Sequence, residues 1–96
     1  MMGRAHGWLA EIELERGEVD EALALSQRGY DLSTRHGYLF DAALCLRARG
    51  KALLASGGPS EGQQCLRDAL TRFEAIDAHP EADRTRVTLA PLVIDQ

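Results

Sequence analysis

The chain is short of most residues that carry site chemistry. It has two cysteines, one tryptophan, three prolines and one lysine among 96 residues, and no asparagine. Aromatic residues make up 5% of the sequence. No apolar run approaches the roughly 20 residues needed to span a bilayer, and no signal peptide is expected ahead of the fold. The formal net charge of −4 excludes the basic excess of a nucleic-acid-binding module. HExxH, paired-cysteine zinc spacing, a Walker glycine loop and a nucleophile elbow are all missing. Gly57-Gly58-Pro59-Ser60 is rich in glycine but has no following lysine and no preceding strand, so it is not a phosphate cradle. Neither a metal nor a cofactor is expected, and no enzyme activity.

Cys45 and Cys65 fall inside apolar helical patterns, which favours thiols packed as small hydrophobes over a disulfide or half a metal site. Nothing demands an oxidising compartment, so the expected location is cytoplasmic. Ten arginines against one lysine, with abundant alanine, match a high-GC bacterial composition. The content is 45% hydrophobic and 27% charged, ordinary for one small globular domain.

Helical spacing is present along the whole sequence, and strand alternation is not. Ala5, Trp8, Leu9 and Ile12 form a first stripe that ends before Gly17. Val19, Ala22, Leu23, Ser26 and Tyr30 form a second, ending near Gly37. The third runs from Leu39 to Leu54 and stops at Ser56-Gly57-Gly58. A fourth carries Cys65, Leu66, Ala69, Leu70, Phe73 and Ile76. A fifth, weaker helix is expected from Pro80 to about Ala90, limited by Pro91. Asp20 and Ser60 read as N-caps, the latter in a capping box with Gln63. Gly37 and Gly57 suit left-handed helix ends.

A shift of 40 residues lays Gly17 on Gly57, Asp20 on Ser60, Glu21 on Glu61, Ala22 on Gly62 and Gly29 on Ala69. Ala10 falls on Gly50 and then on Ala90. Identity is poor, but small residues recur at matching helix positions, as helical repeats require. The expected fold is all-α: about five helices in antiparallel helix-turn-helix repeats over a single domain, 1–96. Repeat 1 covers about 3–42, repeat 2 about 43–82, and a partial third repeat 83–96.

Leu9-Ala10, Gly17, Ala22 and Gly29 in the first unit, with Arg49-Gly50, Gly57, Gly62 and Ala69 in the second, resemble the tetratricopeptide repeat. The departures are a period of 40 where that family has 34, and Ser26 and Leu66 at the position of its large aromatic. Elongated repeats of this kind are similar to those of bacterial transcriptional regulators. The resemblance implies a right-handed superhelix and a protein-interaction scaffold. Its partner, a peptide or protein segment, would lie in a concave groove built from the first helix of each unit. Arg4, Gly7, Trp8 and Glu11 would face that groove from the first unit, Leu44, Arg47 and Lys51 from the second, and Arg84 from the third. The partner-binding set is therefore Arg4, Trp8, Glu11, Arg47, Lys51 and Arg84. Arg47 and Lys51 share one helix face and make the groove locally basic, which suits an acidic or extended peptide.

Trp8 reads equally as an aromatic anchor or as core. Reversing the charge of Arg47 and Lys51 is expected to abolish binding without unfolding. The carboxylate clamp of chaperone-binding members needs asparagine, so chaperone C-termini are disfavoured. His36 and His79 read as turn residues, while His6 lies beside the groove. Glu11, Glu13, Glu15 and Glu18 read as a solvated acidic face. The alternative function is a self-assembling structural unit whose open end, at Leu89 and Leu92, pairs with another copy.

Overall fold

The structure is a computed structural model that describes residues 6–94, with side chains to residue 92. Five helices follow in order: α1 His6–Glu15, α2 Val19–His36, α3 Leu39–Ala55, α4 Pro59–Ala75 and α5 His79–Ile94. There is no strand among the described residues. Nor is any helix among them long and apolar enough to cross a membrane. Sequential helices pack in adjacent pairs, and α1 also lies directly against α3.

The joints are what make this arrangement regular. Gly17, Gly37, Gly57 and Asp77 all have positive φ (84°, 75°, 94° and 58°), at a constant spacing of 20 residues. At each joint the next amide donates back across the turn: Glu18 to the Glu13 carbonyl, Tyr38 to Ser33, Gly58 to Leu53 and Ala78 to Phe73. The left-handed residue itself donates to the carbonyl three before it. This is the Schellman motif, used four times. It leads so directly into the next helix that Ala22, Ala42, Gly62 and Ala82 each donate to the residue right after the joint. The N-caps are therefore Glu18 and Gly58, without side-chain cap bonds. Asp20 and Ser60, expected as caps, lie inside the first turn. Asp20 still favours the helix there through the macrodipole.

The fifth helix also exceeds its expected end. Pro91 lies within α5. Its missing N–H orphans the carbonyl of Val87, a residue 72% exposed, where water can satisfy it.

Burial repeats with the 40-residue period. The order of buried, half-buried and exposed positions over residues 21–30 recurs without change over 61–70. One core cluster joins Ala10, Ala22, Ala48 and Ala52, with Leu14, Val19, Leu23 and Leu25 packed around it. The other joins Ala43, Leu44, Leu46, Ala69, Phe73 and Ala82. Where α3 crosses α4, a Cβ built on Gly50 would sit 2.9 Å from the Gly62 carbonyl oxygen, and one on Gly62 would sit 2.9 Å from that of Gly50. The equivalent residues in the first unit, Ala10 and Ala22, are both fully buried.

Asp77 is the one joint residue with a side chain, and its contact with His79 is long, at 3.8 Å, and exposed. A left-handed conformation costs most non-glycine residues about 1–2 kcal/mol and aspartate less, and the gain on removing that cost is partly offset by the greater unfolded-state freedom of glycine. Asp77→Gly is therefore expected to raise stability by about 0.5–1 kcal/mol in urea unfolding. An unchanged or lower midpoint would mean that the side chain stabilises the turn.

Candidate functional site

The first helices of the units bring five of the six expected residues together; Arg4 lies outside the described residues. The centre is Arg47, which is only 2% exposed although α3 carries it on a single helical stripe with Phe40, Leu44 and Lys51. Its Nε donates to Glu11 Oε2 at 2.8 Å, and its Nη1 donates to Glu81 Oε1 at 2.6 Å. Glu11 Oε1 accepts from Lys51 Nζ at 3.2 Å, and Glu81 Oε2 accepts from Arg84 Nη1 at 3.1 Å. The five charges form an alternating chain, Lys51–Glu11–Arg47–Glu81–Arg84, that ties α1, α3 and α5 together.

Two rings flank the buried guanidinium. The Trp8 centroid lies 5.8 Å from Arg47 Cζ and the Phe73 centroid 5.5 Å, both within cation–π range. Phe73 is in turn met edge-on by Phe40 at 5.8 Å. Trp8 is neither core nor a free anchor: it is 40% exposed, with part of its surface spent on Arg47.

The expected basic groove is thus largely neutralised. Three cations meet two carboxylates, leaving a net +1, and the most central cation is the least accessible. Only Lys51, with 32% of its side chain exposed, and Arg84, with 67%, present charge to solvent. Glu81 was not among the expected residues. Its signal in the sequence was its place one turn before Arg84, on the same face of α5.

The remaining candidates for chemistry are placed as follows. Cys45 is buried and Cys65 half-buried, and both are free thiols. Burial, reinforced by the Asp41 carboxylate, pushes the Cys45 thiol up to about 12. Burial also raises that of Cys65, against the opposing pull of Arg49. His6 backs onto Gly29, whose missing side chain makes room for both His6 and the Cys45 sulfur. His36 stacks on Tyr38, with ring centroids 5.6 Å apart. The described residues hold no cluster of His, Cys, Asp and Glu able to bind a metal ion, and no pocket opens among them.

No family model, curated protein or solved structure matches this chain.

Removing one member of a buried charge pair costs about 3 kcal/mol or more, because its partners stay desolvated. Arg47→Ala is expected to lower the unfolding free energy by that order in a urea titration. Arg86→Ala, which breaks a surface pair with Glu74, is expected to cost under about 1 kcal/mol. Equal effects would mean that the Arg47 network is no more than surface charge. Charge reversal at Arg47 therefore cannot test binding separately from folding, contrary to the expectation from sequence.

The thiols give a second check. A thiol whose folded pKa is raised stays protonated and unreactive. Its stabilising preference is fully present below the unfolded value of 9.0. As pH rises past that value the unfolded thiol ionises first, and the contribution is gone once pH passes the folded value of about 12. Iodoacetamide at pH 8 is expected to label Cys65 first and Cys45 only on unfolding. Rapid labelling of Cys45 in the folded protein would contradict its burial.

Proposed function

We propose that this chain is a protein-interaction module of helical-repeat type, resembling the tetratricopeptide repeat, and that it holds an acidic or extended peptide across the face formed by α1, α3 and α5. The observation that carries this reading is the charge chain ending in a partly exposed cation at each side, Lys51 and Arg84, with the half-exposed Trp8 ring beside it. Two acidic side chains of a peptide would meet the two cations, and an apolar side chain would rest on the indole. Arg47 and Glu11 act beneath them as positioning residues. The reading is non-catalytic, in keeping with thiols held protonated by burial. The excess of arginine over lysine and the resemblance to elongated bacterial repeats support a regulatory role in the bacterial cytoplasm.

Self-assembly, the alternative, was placed at Leu89 and Leu92; Leu92 is half-buried, and Leu89 gives it little support. Leu89 is only 6% exposed, in line with Ala82 and Thr85 on the stripe of α5 that packs against α4. A polar residue there would damage the core before it broke an interface.

The test is peptide selection from a random display library, with Lys51→Glu/Arg84→Glu as the comparison. The native chain is expected to enrich peptides containing Asp and Glu. The double variant is expected to lose that enrichment while remaining folded by circular dichroism, at a lower melting temperature because each new glutamate faces Glu11 or Glu81. Enrichment without acidic preference, or selection unaffected by the substitutions, counts against the groove.

A further inference from the structure

Phe40 lies on the same stripe of α3 as Arg47 and Lys51, yet the peptide reading leaves it without a role. Part of its ring stands edge-on against Phe73, which itself lies on the Arg47 guanidinium. The face thus carries two half-exposed rings, Trp8 from α1 and Phe40 from α3, at 40% and 38%. Steps of 5.8, 5.5 and 5.8 Å link them through Arg47 and Phe73. The repeat fixes their levels. Glu11 bonds to Lys51, its equivalent forty residues on, so α1 and α3 run level and Trp8 stands beside position 48. Phe40 lies about 12 Å from that level, at roughly 1.5 Å per helical residue. The joints at Gly37 and Asp77 set α5 level with α3 in the same way, which places Arg84 beside Leu44, midway between the rings. Lys51 lies one turn beyond Trp8 on the other side. Cation, ring, cation and ring therefore follow one another along the face in steps of about 4.5–6 Å.

We propose that Phe40 is the second apolar anchor of the peptide face, and that the ligand is an extended segment of the pattern acidic-x-apolar-x-acidic-x-apolar. This rests on the peptide reading and supplies its register. An extended chain turns every second side chain to one face, about 6.6 Å apart. Its two apolar residues, four positions apart, then span about 13 Å, close to the separation of the rings. The acidic residue between them meets Arg84, 67% exposed, and the one before them meets Lys51, 32% exposed. The flexible lysine stem takes up the small difference in step. Charge decides against a docked helix. A helix in a groove needs closely spaced anchors at i, i+3 or i+4 and i+7 on continuous apolar surface. Between these two rings the surface holds Arg47 and Arg84 instead.

The probes are fluorescein-labelled peptides of Asp, Glu, Leu and Ser, followed by anisotropy. One has the pattern above, one has Ser in place of its second Leu, and one has an extra Ser inserted between the two Leu. A fourth is an acidic helix-forming peptide with its Leu residues seven apart. The native chain is expected to bind the in-register peptide at least about tenfold more tightly than the other three. Phe40→Ala is expected to weaken the in-register peptide by a similar factor. It should leave the peptide without the second Leu unchanged, because the contact it removes is already missing there. Leu39→Ser, a residue 61% exposed but off the stripe, is expected to change nothing. Should Phe40→Ala not fold, the register comparison on the native chain decides alone. Equal binding of the three Ser-containing peptides would overturn the anchor while leaving the acidic-peptide reading in place. An equal loss for both peptides in Phe40→Ala would also overturn it, since the ring would then act through the fold. Tighter binding by the helical peptide would overturn the extended ligand. No binding by any of the four, with display selection also blank, would remove the peptide reading and the anchor with it.

Discussion

The Arg47 guanidinium links the first helices of the three units, bonding to a carboxylate of α1 and to one of α5 from its place on α3. Neighbouring helices along the chain are joined by apolar packing; α5 packs on α4, its Ala82 shares a core cluster with Ala43, Leu44 and Leu46 of α3, and the Arg47–Glu81 bond adds a polar tie between α5 and α3. On the other side the same guanidinium reaches Glu11 of α1. A buried cation is costly unless geometry and additional bonds compensate its desolvation. Here the compensation is unusually complete: two carboxylates, two aromatic faces, and a further cation behind each carboxylate. A leucine in that place would pack, but it would not fix how far α1 and α5 stand apart. Specific distances of 2.6 and 2.8 Å do.

Regular spacing comes from a different source. Four left-handed joints, 20 residues apart, set α2, α3 and α4 to nearly the same length, 18, 17 and 17 residues. The close approach of α3 and α4 at Gly50 and Gly62 depends on this, because two glycines face each other only if both helices begin in register. The small–small crossing is Ala10 with Ala22 in one unit and Gly50 with Gly62 in the next. A repeat can thus keep its geometry while its sequence drifts, so long as no side chain at the crossing outgrows the gap.

This explains what could be read in advance. The five helices, their joints at Gly17, Gly37 and Gly57, and the 40-residue period were legible, since glycine and small-residue spacing are local signals. Asp77 was not: aspartate tolerates positive φ better than most side chains, but it is just as common at helix starts and in ordinary turns, so it does not single out the joint as glycine does. The caps were misplaced by two residues: Asp20 and Ser60 are strong cap formers, but the Schellman turn had already started each helix. The convergence of five expected side chains was legible, but their sixth neighbour Glu81 and the state of the cluster were not. Trp8, Glu11, Arg47, Lys51 and Arg84 do converge, yet a run of cations in one sequence does not show which will be buried. Glu81, supplied from 34 residues away, converted a basic groove into a nearly balanced one.

That balance limits how the Lys51–Arg84 face can bind. An incoming carboxylate competes with Glu11 for Lys51 and with Glu81 for Arg84, so each new ion pair forms partly at the expense of an existing one. Both outer cations are exposed enough to be screened by salt, and exposed pairs contribute little. For the proposed peptide, affinity would therefore come chiefly from apolar contact with the Trp8 ring, with the cations setting direction and register.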